Sequence, residues 1–314
     1  MTIRTTLAAA GLLALGALPA AAAEPASCRT PTFSDVGWTD ITATTAIASV
    51  LLEALGYAPR TQLLSVPVTY ASLANGDVDV FLGNWMPTME ADIAPYREAG
   101  TVETLGANLT GAKYTLAVPA YVAQAGLTDF SHIAEFADRL GGRIYGIEPG
   151  NDGNRLIQSM IDEDMFGLGS FQLVESSEQG MLAQVRRAER RQDFIVFLGW
   201  EPHPMNANFD LVYLSGGDDV FGPDYGGAEV HTNVRAGFRE ECPNVGAFVS
   251  NLRFTLEMQN EIMGAILDDG AEPAAAARAW LSANLDTPLA WLDGVTTADG
   301  GDAEAAVRAA LSGQ

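Results

Sequence analysis

The chain has a single lysine, Lys113, in 314 residues. Its 17 basic residues stand against 40 acidic ones, giving a formal net charge of −23. Nucleic acid phosphates and anionic membrane surfaces repel such a surface, so neither is an expected partner. Cationic small molecules are favoured over anionic ones, although acidity also serves plain solubility. Histidine is scarce too. His132, His203 and His231 are scattered without metal-ligand spacing, so no metal and no cofactor is expected. The zinc-protease helix motif, the phosphate loop, the dinucleotide-binding glycine pattern and the nucleophile elbow are all missing. That weakens the case for an enzyme without excluding one. Cysteine is limited to Cys28 and Cys242. After residue 23 no run is apolar and long enough to span a bilayer.

What is present begins at the N-terminus. Arg4 precedes a nearly unbroken apolar stretch from Leu7 to Ala23, which closes on Pro19-Ala20-Ala21-Ala22-Ala23. This is the layout of a secretory signal peptide over residues 1–23, cleaved near Ala23. The expected mature protein is a monomer, exported to the periplasm. At about 290 residues it is long enough for a sizeable core and two domains. In an oxidising compartment the two cysteines are expected to form one disulfide, Cys28–Cys242, which requires both segments to lie in one lobe.

Three tryptophans share a local context. Trp38 follows Ser34-Asp35-Val36-Gly37, Trp85 follows Val80-Phe81-Leu82-Gly83-Asn84, and Trp200 follows Ile195-Val196-Phe197-Leu198-Gly199. Each short apolar run reads as a buried strand ending in glycine. In an open α/β sheet, a residue just past a strand's carboxyl end sits where ligands bind. Three indole faces at such places form a cage for a cation, most naturally a quaternary ammonium. Tryptophan is also a common core residue, and Trp280 and Trp291, which lack the preceding glycine, are assigned to the core.

The element order repeats. A strand over 32–36, a helix carrying Ile47, Val50, Leu51, Ala54 and Leu55 on one face, a strand over 62–66 broken by Pro67, a short helix over 69–74 and a strand over 78–82 lead to Trp85. A strand over 143–147, a helix carrying Leu156, Ile157, Met160 and Ile161, a strand over 171–175, a helix over 181–190 and a strand over 194–198 lead to Trp200. Two α/β lobes with a ligand cleft between them follow. Lobe 1 is expected over 24–112 and 205–314, completed by C-terminal helices over 245–267, 272–284 and 303–311; lobe 2 is expected over 113–204. Short crossovers near Gly111-Ala112-Lys113 and Pro202-His203-Pro204-Met205 would let the lobes open and close.

A trimethylammonium head has no hydrogen-bond donor, so aromatic faces are the means of recognising it. Each desolvated wall contributes ~2 kcal/mol, and three or four approach the ~8 kcal/mol of micromolar affinity before association costs. Tyr114 is the candidate fourth wall and is equally placed to be core. Asp40 is either a helix cap or a site residue that accepts a ligand hydroxyl and attracts the ammonium. In the second role it repels a ligand carboxylate by ~4 kcal/mol at ~4 Å and an effective dielectric of about 20, which favours choline over a betaine. Asn151, in the loop Pro149-Gly150-Asn151-Asp152-Gly153-Asn154, holds the matching place in the second half and is either an ordinary turn residue or a cleft contact.

These motifs resemble the periplasmic substrate-binding proteins of ABC importers for choline and glycine betaine, and the choline-binding members above all. The resemblance rests on Val36-Gly37-Trp38-Thr39-Asp40, on Gly76 to Pro87, on Glu148 to Asn154 and on Phe197-Leu198-Gly199-Trp200, and covers essentially the whole mature chain. It implies a type II periplasmic binding-protein fold that closes on its ligand and delivers it to an ABC transporter permease. It also implies an aromatic box of Trp38, Trp85, Tyr114 and Trp200, with hydroxyl and charge contacts from Asp40 and Asn151. Glycine betaine, trimethylamine N-oxide and dimethylsulfoniopropionate remain alternative ligands. A sensory binding protein, or a periplasmic enzyme acting on quaternary amines, remains an alternative role.

Overall fold

The computed structural model describes residues 24–312; the expected signal peptide, residues 1–23, lies outside the described residues. The strands are β1 (Thr32–Asp35), β2 (Arg60–Leu63), β3 (Val80–Met86), β4 (Val102–Pro119), β5 (Arg143–Tyr145), β6 (Gln172–Val174), β7 (Phe197–Glu201), β8 (Leu211–Tyr213) and β9 (Gly227–Arg235). They join in the order β2-β1-β3-β9-β4-β7-β5-β6, with β8 beside β4. β1 pairs in parallel with β2 and β3, and β5 in parallel with β6 and β7. These are the two halves legible as a repeat, and together they make a two-lobed α/β fold. β4 runs between them. Its Val102–Lys113 portion pairs antiparallel with β9 and its Lys113–Ala117 portion with β7, while β8 lies against Ala117–Pro119.

The helix Thr39–Ala54 is buried on almost every face, through Ile41, Ala43, Ile47, Ala48, Val50, Leu51 and Leu52. An apolar helix of this kind needs cover on both sides. The sheet covers one side, and the helices Leu256–Leu267, Pro273–Ala283 and Ala303–Ser312 cover the other. The C-terminal helices therefore complete the first half of the molecule. The disulfide is formed between Cys28 and Cys242, with Cα atoms 5.5 Å apart. It ties the turn Ala26–Arg29 to the start of the helix Pro243–Asn251, where Glu24 Oε1 also accepts the Asn244 and Val245 N–H groups.

Several expected boundaries shift for local reasons. Pro67 does not simply break a strand; it sits in the first turn of the helix Val66–Asn75, where its missing N–H is harmless. The single helix expected over 245–267 is two, because Thr255 accepts the Met258 N–H and starts a new helix at Leu256. Trp85 and Trp200 lie inside strands rather than beyond them, since β3 stays paired to β9 through Met86 and β7 stays paired to β4 through Glu201. Trp291 is core, packed on Phe254 with ring centroids 5.7 Å apart. Trp280 is only half-buried and donates to Glu261 at 2.6 Å. Among the described residues no helix is long and apolar enough to cross a membrane.

Candidate functional site

Trp38, Asp40, Trp85, Tyr114, Ile147 and Trp200 line one small cavity. Each wall arrives by a different backbone route. Gly37, at φ 84°, turns the chain out of β1 so that Trp38 precedes the long helix. Trp85 comes from β3. Tyr114 and Trp200 are direct partners across the β4–β7 ladder. The Tyr114 ring lies 5.9 Å from Trp85, tilted by 55°, and 6.4 Å from Trp200, edge-on at 82°. All four rings are at most 5% exposed.

The glycines ahead of Trp85 and Trp200 serve close packing. A Cβ on Gly83 would stand 2.7 Å from Ile41, and one on Gly199 3.0 Å from Ala117. Gly153 admits Tyr114: a Cβ there would meet the phenol oxygen at 2.0 Å. Burial raises the Tyr114 hydroxyl's pKa well above its ordinary value, so the phenol stays protonated.

Asp40 occupies the first turn of its helix and is 1% exposed. Its Oδ2 accepts the Trp85 indole N–H at 3.1 Å, while its Oδ1 has no hydrogen-bond partner among the described residues. Burial, reinforced by the Glu178 carboxylate and opposed by the Trp85 bond, pushes its pKa up to about 8. No lysine, arginine or histidine is among the lining residues. Below about pH 8 a negative charge on Asp40 in the shut cavity is therefore favoured only beside a cation supplied from outside.

Asn151 does not line this cavity. It caps the helix Asp152–Asp162, its Oδ1 accepting the Asn154 N–H at 2.8 Å and the Tyr114 hydroxyl at 3.4 Å, while its Nδ2 donates to the Glu148 carbonyl. It therefore stands one hydrogen bond behind a wall, beside a second cavity that shares Trp38. Ile147 lines the box and was not singled out from the sequence; as the end of an apolar run it gave no chemical signal. Glu178 was also missed. Its carboxylate accepts the Thr39 N–H at 2.8 Å, the Thr39 hydroxyl at 2.7 Å and a hydrogen bond from His203 Nε2 at 3.0 Å. Cys28, Glu241 and Cys242 are the one group of potential metal ligands among the described residues, and the disulfide consumes both thiols.

The substrate-binding domain of ABC-type glycine betaine transport systems matches residues 30–283. An ABC-transporter choline-binding protein solved in complex with choline is 67% identical and superposes with a TM-score of 0.91, covering 92% of this chain and 100% of that one. An ABC-transporter choline-binding protein in an unliganded semi-closed conformation, also 67% identical, superposes less well, at 0.84 over 91% of this chain and 99% of that one. The arrangement described above is thus nearer to the choline-bound shape. The glycine betaine/carnitine transport binding protein GbuC of Listeria monocytogenes is 32% identical over 167 residues, 53% of this chain and 54% of that protein, so the match spans about half of GbuC. With most of its length matched by the family, the chain belongs to the substrate-binding domains of ABC-type glycine betaine transport systems.

Proposed function

We propose that this protein is a periplasmic receptor that captures choline in the box of Trp38, Trp85, Tyr114 and Trp200 and delivers it unchanged to an ABC transporter permease. One observation carries the ligand assignment: Asp40 is buried against the aromatic cavity with an unpartnered oxygen and no basic side chain beside it. The trimethylammonium group satisfies both demands. Its methyls fit flat aromatic walls at ~2 kcal/mol each, and its charge offsets the buried carboxylate. The choline hydroxyl donates to Asp40 Oδ1. Asn151 acts one step back, its Oδ1 accepting the Tyr114 hydroxyl and so steadying that wall.

Glycine betaine is the second reading, favoured by the family's description. Against it stands the lining itself, which offers a carboxylate Asp40 and no cationic partner. Export through the N-terminal segment fits the role, as does the acidic surface. The lobes divide at Lys113, where β4 changes partner. The pairing of β8 with Ala117–Pro119 favours a second division near Gly226-Gly227 over the expected one at 202–205. Calorimetry with choline, acetylcholine, glycine betaine and trimethylamine N-oxide tests the assignment. Choline binding at least tenfold tighter than glycine betaine is expected. Equal or tighter betaine binding would overturn the role given to Asp40, and no binding of any of the four would overturn the box.

A further inference from the structure

Glu178 is the first residue of the helix Glu178–Arg191, directly after the Ser177 cap. It is 1% exposed and 139 residues from Thr39 in sequence. In the sheet order, β1, which leads into Thr39, is separated by β3, β9 and β4 from β7, which leads into His203. The Glu178 carboxylate therefore joins elements on opposite sides of the cleft. The peptide N–H it accepts from Thr39 belongs to the bond leaving Trp38. On the other side, His203 packs edge-on against Trp200 with ring centroids 4.7 Å apart.

The histidine is fixed in role as well as place. Its Nδ1 accepts the Met205 N–H at 2.8 Å, so its proton is on Nε2 and points at Glu178. One carboxylate thus holds two walls of the box, from opposite lobes, through three short hydrogen bonds. A second cross-cleft contact, Arg155 to Asp92 at 2.7 Å, has its guanidinium side 37% exposed and is accordingly weaker.

We infer that Glu178 is a positioning residue of the binding site: held by His203 within its own lobe, it meets Thr39 as the cleft shuts, sets the separation of Trp38 and Trp200, and governs how slowly ligand leaves. This rests on the choline reading above. Opening breaks the Thr39 bonds and leaves the His203 bond in place, so the Thr39 contact adds to the liganded state and not to the empty one.

Glu178→Gln tests it. An amide placed between Thr39 and His203 must turn its NH2 toward one of two fixed donors, since the imidazole cannot change tautomer without opposing the Met205 N–H. Stopped-flow tryptophan fluorescence should show choline leaving at least tenfold faster, with an association rate within about threefold of the unsubstituted protein. The melting temperature without ligand should hardly move. Thr39→Val should also speed release several-fold, and Thr39→Ser, which keeps the hydroxyl, should restore it. If both Glu178→Gln and Thr39→Val release choline at the unsubstituted rate, the inference is wrong while the choline assignment stands. A ligand-free melting temperature that falls with release unchanged would make Glu178 merely structural and overturn the inference equally. If the unsubstituted protein fails to bind choline, the functional reading falls and takes this inference with it.

Discussion

Replacing Asp40 by Asn keeps the side chain's size and an acceptor for the Trp85 N–H but removes the charge. In the shut, cation-free protein the carboxyl is pushed up to about 8, by burial first and by Glu178 second. Facing water in an open cleft, where burial no longer acts on it, the carboxyl would return to its ordinary 3.8. The shut state therefore holds a proton that the open state lacks between these values. Closure without ligand is accordingly least unfavourable below pH 3.8, worsens as pH rises toward about 8, and is flat beyond. About three pH units separate 3.8 from neutrality, each worth 1.36 kcal/mol, so empty closure at pH 7 carries a penalty of about 4 kcal/mol. Asn carries none, so Asp40→Asn should close more readily when empty and do so independently of pH. It should also lose the repulsion of a ligand carboxylate, ~4 kcal/mol at ~4 Å. A third of that repulsion suffices to shrink the preference for choline over glycine betaine tenfold. Small-angle scattering of the empty protein from pH 4 to 9, with calorimetry of both ligands at pH 7, reads the two effects. Unchanged discrimination together with pH-independent empty closure of the unsubstituted protein would refute the reasoning.

Trp200→Ala should weaken choline binding at least tenfold by calorimetry, the ~1.4 kcal/mol expected from one lost wall; unchanged affinity would make Trp200 core. Gly153→Ala drives a methyl into the Tyr114 hydroxyl and should weaken choline binding and lower the melting temperature together, whereas Gly264→Ala, in a helix with nothing within 4 Å of the new methyl, should add about 0.5–1 kcal/mol of stability and leave binding alone. Reducing Cys28–Cys242, which closes a span of 214 residues, should lower unfolding stability by about 2–4 kcal/mol in denaturant titrations, with choline affinity within a few-fold because the bridge is remote from the box. In the complex Asp40 is ionised, as it is in the open protein above its ordinary pKa, so choline affinity should be level between pH 5 and 8 and fall on acidification through about 4.

The aromatic walls were legible in the sequence because large side chains at repeated strand positions leave a pattern that alternation alone does not explain. Asp40 was legible through its spacing from Trp38. The long strand β4 was not legible as one element. Irregular register between Thr104 and Ala112, beside Gly106 and Gly111, breaks the alternation that announces a strand. Asn151 illustrates a different limit: the cap and the site neighbour are the same side chain, since the amide oxygen that starts the helix also touches Tyr114. Glu178 was invisible for a topological reason. A glutamate opening an amphipathic helix looks like a solvated end, and only the fold brings Thr39 and His203 to it from opposite halves of the sheet.

The account turns on the box reading positive charge and not merely shape. Titrating the protein by calorimetry with choline and with its neutral carbon isostere 3,3-dimethylbutan-1-ol, of nearly equal size and bearing the same hydroxyl, isolates that charge. The isostere should bind at least 100-fold more weakly, about 2.8 kcal/mol. Binding of the two within a few-fold of each other would contradict the role given to the aromatic faces and to Asp40.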